Sequence, residues 1–246
     1  MSDKNKKLLV MALAALGLMV LPLVLQNYSN GYVRIVDMAL LYVMLALGLN
    51  IVVGYAGLLD LGYIAFFAVG AYTYGLIASP HLVEAFPAVA TMFPDGVPYH
   101  IIAVVLVAAL VAAFFGALLG APTLKLRGDY LAIVTLGFGE IIRIFMLNLD
   151  RPINITNGPK GLDAIAPVTL FGHPFSQSLD FELSNGDIYS IESVSLYYYL
   201  FLALVVLTIF ISSRLEDSRI GRAWMAIRED EIAAKAMGLN TRNLKL

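Results

Sequence analysis

The sequence has no cysteine and is poor in charge, since only 14% of its 246 residues are Asp, Glu, Lys or Arg, where an average soluble domain has about 25%. The lack of cysteine excludes disulfides, thiolate metal ligands and cysteine nucleophiles. The net charge of −2 offers no basic excess for binding nucleic acid. Because 60% of the residues are hydrophobic, one water-soluble core cannot bury them all, which excludes a soluble enzyme and a disordered chain.

Sequence motifs of enzymes are also missing. The chain contains no G-x-x-x-x-G-K-[ST] phosphate loop, no H-E-x-x-H zinc motif and no G-x-S-x-G nucleophile elbow. The three histidines, His81, His100 and His173, lie far apart in predicted external loops, so their spacing does not indicate a metal site. The sequence therefore predicts no catalytic residue, no metal and no cofactor, and hence a protein that is not an enzyme.

Long apolar runs dominate the chain instead. A membrane-spanning helix needs about 20 mostly apolar residues, whereas the strands of a membrane barrel are about 10 residues long and alternate in polarity. The runs therefore predict an all-α polytopic membrane protein with a transmembrane domain over residues 1–213. They cover residues 8–25, 38–53, 61–79, 101–120, 130–148 and 196–213. We expect the first run to be an uncleaved anchor helix, with a signal peptide as the alternative.

Basic residues predict the orientation of these six helices. Twelve of the 16 Lys and Arg residues lie in the N-terminal tail, in the connection after the fourth run and after residue 213. Three lie in the connections on the other side, and Arg143 lies within a run. Because cytoplasmic segments carry the excess of positive charge, we expect both termini in the cytoplasm.

Two predicted external connections are polar, and the second is unusually long. Residues 80–100 hold four prolines, and residues 149–195 are acidic and contain no apolar run. The second connection far exceeds the length of a plain turn. We expect either a small external cap or docking surface, or a partly ordered loop. The tyrosines at positions 197–199 that follow it are typical of a membrane–water boundary.

Glu140 and Arg143 are charged residues inside the fifth run. Charges in the hydrocarbon core are costly and usually face protein or water. Their i,i+3 spacing lies on one helix face, where the two charges can neutralise each other. Two interpretations remain open. The pair either faces a polar pathway or a gating neighbour, or forms a structural ion pair.

Glycines interrupt the apolar sequence between the second and third runs. The stretch contains three glycines and two polar residues, which in chain order are Asn50, Gly54, Gly57, Asp60 and Gly62. Such interruptions are typical of broken membrane helices whose free backbone groups hold a solute. The alternative is a tight cytoplasmic turn between two ordinary helices.

Residues 214–246 contain no apolar run and form a separate, polar segment. Its small and apolar residues at helical spacing are Ala223, Ile227, Ala233, Ala234 and Met237, with Trp224 beside them. Gly238 predicts a helix end, and Asn240 or Thr241 predicts the cap of a following helix. Because short helices are unstable alone, we expect this segment to dock on another protein. An amphipathic helix on lipid headgroups is the alternative.

The sequence of residues 221–240, GRAWMAIREDEIAAKAMGLN, resembles the cytoplasmic coupling loop of ABC importer permeases. It is most similar to the branched-chain amino-acid permeases of the LivM type. Residues 47–62, 127–143 and 156–162 resemble the same family in the same order. The resemblance covers the chain from about residue 40 to its C-terminus.

This resemblance implies a permease of the bacterial cytoplasmic (inner) membrane that carries leucine, isoleucine or valine. It implies a second permease subunit, two cytoplasmic ATP-binding subunits and an external solute-binding protein as partners. In the coupling loop it implies close docking at Ala233 and Ala234 and a turn at Gly238. The whole set of coupling residues is Arg228, Asp230, Glu231, Ala233, Ala234 and Gly238. Asp230 and Glu231 are expected to contact donors on the ATP-binding subunit.

The resemblance also suggests a translocation pathway that combines the glycine-rich stretch with the charged pair. Its expected residues are Asn50, Gly54, Gly57, Asp60, Gly62, Glu140 and Arg143. Two departures stand against the family pattern. Ile232 separates the acidic residue from the two alanines, as in the LivM subgroup, and family members continue past this loop with further spans. A fragment of a longer permease and a non-transporting membrane subunit are therefore alternatives. A urea or short-chain amide permease is a further alternative, because no residue here separates these solutes from branched-chain amino acids.

Overall fold

The computed structural model describes residues 3–94, 100–123, 126, 128–170, 172–182 and 188–245. Helices dominate these residues, and two small two-stranded sheets accompany them. The helices are α1 (Asp3–Gln26), α2 (Asn30–Asn50), α3 (Tyr63–Ile77), α4 (His81–Ala85), α5 (Pro87–Met92), α6 (Ile101–Thr123), α7 (Asp129–Asn148), α8 (Ser193–Glu216), α9 (Arg219–Glu229), α10 (Glu231–Ala236) and α11 (Thr241–Lys245). The strands are β1 (Thr169–Leu170), β2 (His173–Pro174), β3 (Leu179–Glu182) and β4 (Ile188–Ile191).

Five helices in the described part of the chain are long and apolar enough to cross a membrane. They run over Asn5–Gln26, Asn30–Tyr55, Ile101–Thr123, Asp129–Asn148 and Ser193–Glu216. The all-α, multi-pass membrane class is therefore confirmed. The predicted run at 61–79 is the exception in length, because α3 has only 15 residues. At 1.5 Å per residue, α3 spans about 22 Å of a hydrocarbon core about 30 Å thick.

The helix at the second run begins earlier than the run itself. The apolar run starts at residue 38, whereas α2 starts at Asn30 and takes in Arg34 and Asp37. Hydropathy alone excluded these polar residues, although their backbone continues the helix. Asp37 is buried, with only 8% of its surface exposed.

The chain divides into two compact units. Unit 1 comprises Met1–Gly48 and Leu170–Ser213, and therefore contains α1, most of α2, strands β2 to β4 and most of α8. Unit 2 comprises Leu49–Thr169 and Arg214–Leu246. It contains α3 to α7 and the C-terminal helices α9 to α11.

In unit 1, tyrosines of α8 bond to backbone carbonyls beside the proline of α1. Pro22 lies inside α1 and has no N–H to donate to the carbonyl of Leu18. The Tyr198 hydroxyl donates to that carbonyl at 2.8 Å, and Tyr199 donates to the carbonyl of Met19 at 2.9 Å. Tyr198 is fully buried within the protein, and its expected position at the membrane–water boundary stays a prediction. Its hydroxyl is used to satisfy a helix interior.

The hairpin of unit 1 is fastened to the end of α1. Strands β3 and β4 are antiparallel, with Leu179 opposite Ile191. The Gln26 side chain donates to the Ser190 carbonyl at 2.8 Å and accepts from the Ser195 hydroxyl at 2.9 Å. The described part of residues 149–195 thus contains two small sheets, which the sequence did not indicate.

Unit 2 is held together by close contacts of small residues. Helix α3 packs against both α6 and α7. A Cβ on Gly70 would lie 4.0 Å from the Cβ of Ala112, and one on Gly139 would lie 3.5 Å from the Cα of Gly62. Small residues allow such close backbone approach between membrane helices. Ala65, Val69, Val104, Ala108, Leu131 and Thr135 are buried in this unit.

We predict that Tyr198→Phe lowers the stability of the detergent-solubilised chain by about 1 kcal/mol, because the Leu18 carbonyl loses its donor. The loss should be much smaller in a Pro22→Ala background, where residue 22 regains an N–H for the Leu18 carbonyl. Unfolding by SDS, followed by circular dichroism, measures both. Equal losses in the two backgrounds would contradict the assignment.

Candidate functional site

The glycine-rich stretch begins with a wide helical turn. Helix α2 continues into a π-helical turn at Ile51–Tyr55, in which the amide of Ala56 donates to the carbonyl of Ile51 at 3.4 Å. Gly57 then takes a φ of +66°, which a side chain would strain. Because α3 begins only at Tyr63, residues 51–62 form a separate segment between two helices. We call it the turn segment; it combines a widened helix end with an irregular turn.

The far end of the turn segment is bonded to α7. The amide of Leu61 donates to the Thr135 hydroxyl at 3.0 Å, and the amide of Gly62 donates to the Asp60 carboxylate at 2.8 Å. A Cβ at Gly62 would collide with the carbonyl of Thr135. The end of the turn segment is therefore fixed against α7 by a contact that only glycine permits.

A pocket of about 220 Å³ lies between the turn segment and the helices α3, α6 and α7. Most of its lining is apolar, and its polar side chains come from Asp60, Thr123 and Thr135. Thr123 donates to the Leu119 carbonyl at 3.1 Å. The Asp60 oxygen Oδ1 accepts from Gly62, whereas Oδ2 accepts no hydrogen bond within the described part of the chain. The pocket thus combines an apolar wall with one available carboxylate oxygen.

The C-terminal helix α9 lies directly against the turn segment. The Arg228 guanidinium donates through Nη1 to the carbonyl of Gly54. Next to it, the Tyr55 hydroxyl donates to the Glu216 carboxylate at 3.2 Å. A cleft of about 190 Å³ between α9 and the turn segment includes Gly57, Ile227 and Glu231. Residues 214–246 are therefore in contact with the segment that walls the pocket.

Helix α9 begins at a capped turn that packs closely against the residues just before it. The Ser218 hydroxyl accepts from the amide of Gly221 at 3.0 Å, which is the usual bond of a helix N-cap. A Cβ at Gly221 would collide with the Leu215 carbonyl. Ala223 and Ile227, which are one helical turn apart, are both buried. The sequence and these contacts fix which face of α9 points inward.

Helix α10 is separated from α9 by Asp230. The Asp230 carboxylate accepts from the amides of Ile232 at 2.8 Å and Ala233 at 3.0 Å, and so caps α10. Gly238, with a φ of +87°, follows the helix end, as expected. The Asn240 side chain then accepts from the amide of Asn243 at 3.3 Å. The carboxylate of Asp230 is thus engaged within the chain, and its expected contact with a partner stays a prediction.

The outer surface of α9 and α10 carries a shallow apolar groove of about 500 Å³. Ala234 is buried, whereas Ala233 is exposed on the rim of the groove. Met237 borders the same groove with 84% of its surface exposed, and Ile232 is 72% exposed nearby. Exposed apolar residues grouped in this way mark interaction surfaces.

Glu140 and Arg143 form an ion pair in the middle of α7. The Arg143 Nε donates to both carboxylate oxygens of Glu140, at 3.0 and 2.9 Å. Both side chains remain more than half exposed in the isolated chain. They border an apolar groove of about 740 Å³ between α3 and α7, which also includes Ile64 and Tyr72.

The seven expected pathway residues do not form one site. Asn50, Gly54 and Gly57 belong to the part of the chain that lies near α9, and the Asn50 side chain lies over Gly54. Asp60 and Gly62 line the pocket. The remaining two, Glu140 and Arg143, line the separate groove. Ala65 borders both the pocket and the groove, which makes it the link between them.

Several residues of the site escaped sequence reasoning. Tyr55, Thr135 and Glu216 carry no special motif, and their partners lie far away in the chain. Asp37 lies just before an apolar run and was overlooked, although an acid in helical continuity with a span is itself a signal. Its Oδ1 is buried without a hydrogen-bond partner in the described part of the chain. Asp37 belongs to unit 1 and not to this site.

We predict that Asp230→Ala speeds hydrogen exchange at the amides of Ile232 and Ala233 roughly fivefold, because loss of an N-cap costs about 1 kcal/mol. Asp230→Ser should keep the protection, since serine also caps. Glu229→Ala serves as the neighbouring control. Exchange measured by mass spectrometry on the solubilised chain gives the result. Unchanged exchange in Asp230→Ala would contradict the cap.

Comparison with known proteins identifies the family. A family model described as the permease component of branched-chain amino acid transport systems matches residues 31–246. The chain is 44% identical over 225 residues to the high-affinity branched-chain amino acid transport system permease proteins LivM of Escherichia coli (strain K12) and Salmonella typhimurium (strain LT2). The match covers 89% of this chain and 48% of each relative, so the chain spans about half the length of those relatives. No solved structure matches the chain significantly. This multi-pass membrane protein belongs to the family of permease components of branched-chain amino acid transport systems, a family of transport proteins rather than enzymes.

Proposed function

We propose that the chain is a permease subunit of an ABC importer that moves leucine, isoleucine and valine across the bacterial cytoplasmic membrane. One observation carries the proposal beyond family membership. The polar C-terminal helix α9 contacts the turn segment, and the turn segment walls a largely apolar pocket with a carboxylate. A movement of α9 therefore has a direct route to a site that suits an aliphatic amino acid.

The energy for transport comes from partner subunits in this proposal. The sequence contains no phosphate-binding loop, and the family resemblance assigns ATP hydrolysis to two ATP-binding subunits on the cytoplasmic side. A second permease subunit and an external solute-binding protein complete the importer. The excess of basic residues on one side supports an orientation with both termini in the cytoplasm.

Helices α9 and α10 offer the docking surface for an ATP-binding subunit. Ala233 has a short side chain and lies on the rim of an apolar groove, so a partner helix or strand can approach closely. The exposed side chains of Ile232 and Met237 would lose their contact with water on docking. Gly238 ends the short helix with a positive φ, and Leu239 after it still lines the groove.

The chemistry of the pocket suits an aliphatic amino acid, so we assign the pocket to the translocation pathway. An amino acid carries an ammonium group, which a carboxylate attracts, and the aliphatic side chains of Leu, Ile and Val favour apolar walls. Asp60 supplies the carboxylate oxygen, and Phe66 and Phe138 supply part of the wall. The Glu140–Arg143 pair lies in mid-helix, where lipid is an unfavourable neighbour for charge. We assign the groove around this pair to the surface covered by the second permease subunit.

The experiment is solute uptake by vesicles that contain the full-length chain with its second permease and ATP-binding subunits and the solute-binding protein. The proposal expects ATP-dependent accumulation of radiolabelled leucine that excess isoleucine or valine suppresses. Uptake of urea or acetamide in place of leucine would overturn the assigned solute. Absence of uptake of all these solutes, with ATP hydrolysis intact, would favour a non-transporting membrane subunit.

Asp60→Asn is expected to reduce leucine uptake roughly tenfold in these vesicles while the amount of chain in the membrane stays unchanged. Asparagine keeps the oxygen that accepts from Gly62, but it removes the negative charge offered to the ammonium group. Asp129→Asn, at the start of α7 and outside the pocket lining, is the matched control. Wild-type uptake by Asp60→Asn would remove Asp60 from the pathway.

Glu140→Gln should lower the amount of assembled chain several-fold, because Arg143 then remains in an apolar groove without its counter-charge. The double variant Glu140→Gln/Arg143→Gln should regain most of that amount, since neither charge is left unpaired. Immunoblots of membranes and thermal stability in detergent measure the effect. Full assembly of the single variant would contradict the pairing.

A further inference from the structure

The carbonyl of Gly54 needs a donor from outside the turn segment. In an α-helix, the amide of Leu58 would bond to this carbonyl. Here the amide of Leu58 donates to Val52 at 3.2 Å, because the turn is widened. The freed carbonyl accepts from the guanidinium of Arg228 instead. The bond joins two parts of the chain that are 174 residues apart.

The aliphatic part of Arg228 also packs on the turn segment. A Cβ placed on Gly57 would lie 2.6 Å from the Cγ of Arg228 and 3.1 Å from its Cβ. Gly57 therefore allows the arginine stem to lie across the backbone, and its φ of +66° brings the chain into that position. Arg228 thus makes both a polar and a steric contact with the turn segment.

A second contact between the C-terminal segment and the turn segment lies at Tyr55, the residue after Gly54. The Tyr55 hydroxyl donates to the carboxylate of Glu216, the last residue of α8. Glu216 lies just before the start of α9 and Arg228 lies near its C-terminal end, and the two side chains bond to adjacent residues of the turn segment. Two contacts at adjacent positions restrict rotation as well as translation of the turn segment relative to α9.

We propose that Arg228 is a positioning residue that ties α9 to the turn segment and transmits the movement of α9 to the pocket, with Glu216 as the second contact. This inference rests on the proposed function. It differs from the role expected for Arg228 from the resemblance, because its guanidinium bonds within the chain. The same segment that carries Gly54 and Gly57 continues to Leu58, Asp60 and Gly62, which line the pocket.

Labelling of a single cysteine tests the tie in the full-length chain without requiring transport. The sequence has no cysteine, so Leu59→Cys, at a position 45% exposed in the turn segment, introduces a single reactive thiol into it. Adding Arg228→Met keeps the stem and removes the donors. It should raise the rate of maleimide labelling in membranes roughly tenfold, as expected for loss of a charge-assisted hydrogen bond. Arg228→Lys, which still donates, should keep the rate within about threefold of the parent.

Arg222→Met is the matched control on the same helix. The Arg222 guanidinium donates to the Asp217 carbonyl within its own segment at 2.6 Å and does not reach the turn segment in the described structure. Its loss should leave labelling at position 59 unchanged. Equal labelling rates in Arg228→Met and in the parent would overturn the tie, and a similar increase in Arg222→Met would show that any change in α9 has this effect.

Transmission is tested in the reconstituted importer by the ratio of leucine uptake to ATP hydrolysed. Arg228→Met should lower this ratio roughly tenfold while ATP hydrolysis continues, and Arg228→Lys should restore most of it. Increased labelling with an unchanged ratio would overturn transmission. If the unmodified importer carries no solute, the proposed function fails, whereas the labelling result still decides whether the tie exists.

Discussion

Backbone groups that a break in a membrane helix releases need partners from the same chain, since lipid offers none. The structure meets this requirement at two interrupted helices. In α1, Pro22 frees the carbonyl of Leu18, and the Tyr198 hydroxyl bonds to it. In the turn segment, the guanidinium of Arg228 bonds to the carbonyl of Gly54. The partners come from distant parts of the sequence, so each break also becomes a point of tertiary attachment.

The same requirement connects local backbone geometry with transport. A continuous helix through residues 51–62 would bond to itself and would have no need of α9. The widened turn leaves a carbonyl that a cationic residue of the polar C-terminal segment satisfies. Thr135 fixes the other end of the turn segment to α7. The pocket is therefore walled by a turn segment with two fixed ends. A membrane helix holds one end, and the segment proposed to dock on an ATP-binding subunit holds the other.

Much of the fold could be predicted from the sequence, because apolar runs of sufficient length report directly on membrane helices. The helix end at Gly238 and the cap at Asn240 were also predictable, since these residues act on their immediate neighbours. The bonds of Arg228 and Tyr198 were not, because each depends on which distant carbonyl lies opposite. The short helix α3 was missed because hydropathy does not show where a backbone stops being helical, and the burial of Asp37 was missed because hydropathy ignores where a polar residue points.

The resemblance identified the family because its motifs are long and ordered, whereas the roles of single residues depended on geometry. Asp230 has the sequence position of a residue that contacts a partner, yet its carboxylate caps α10. The docking of the C-terminal segment on an ATP-binding subunit is tested most directly by labelling a single cysteine in place of Met237, which is 84% exposed. The proposed importer predicts labelling by an impermeant maleimide from the cytoplasmic side and protection once the ATP-binding subunits assemble. Labelling from the opposite side, or no protection in the intact assembly, would contradict it.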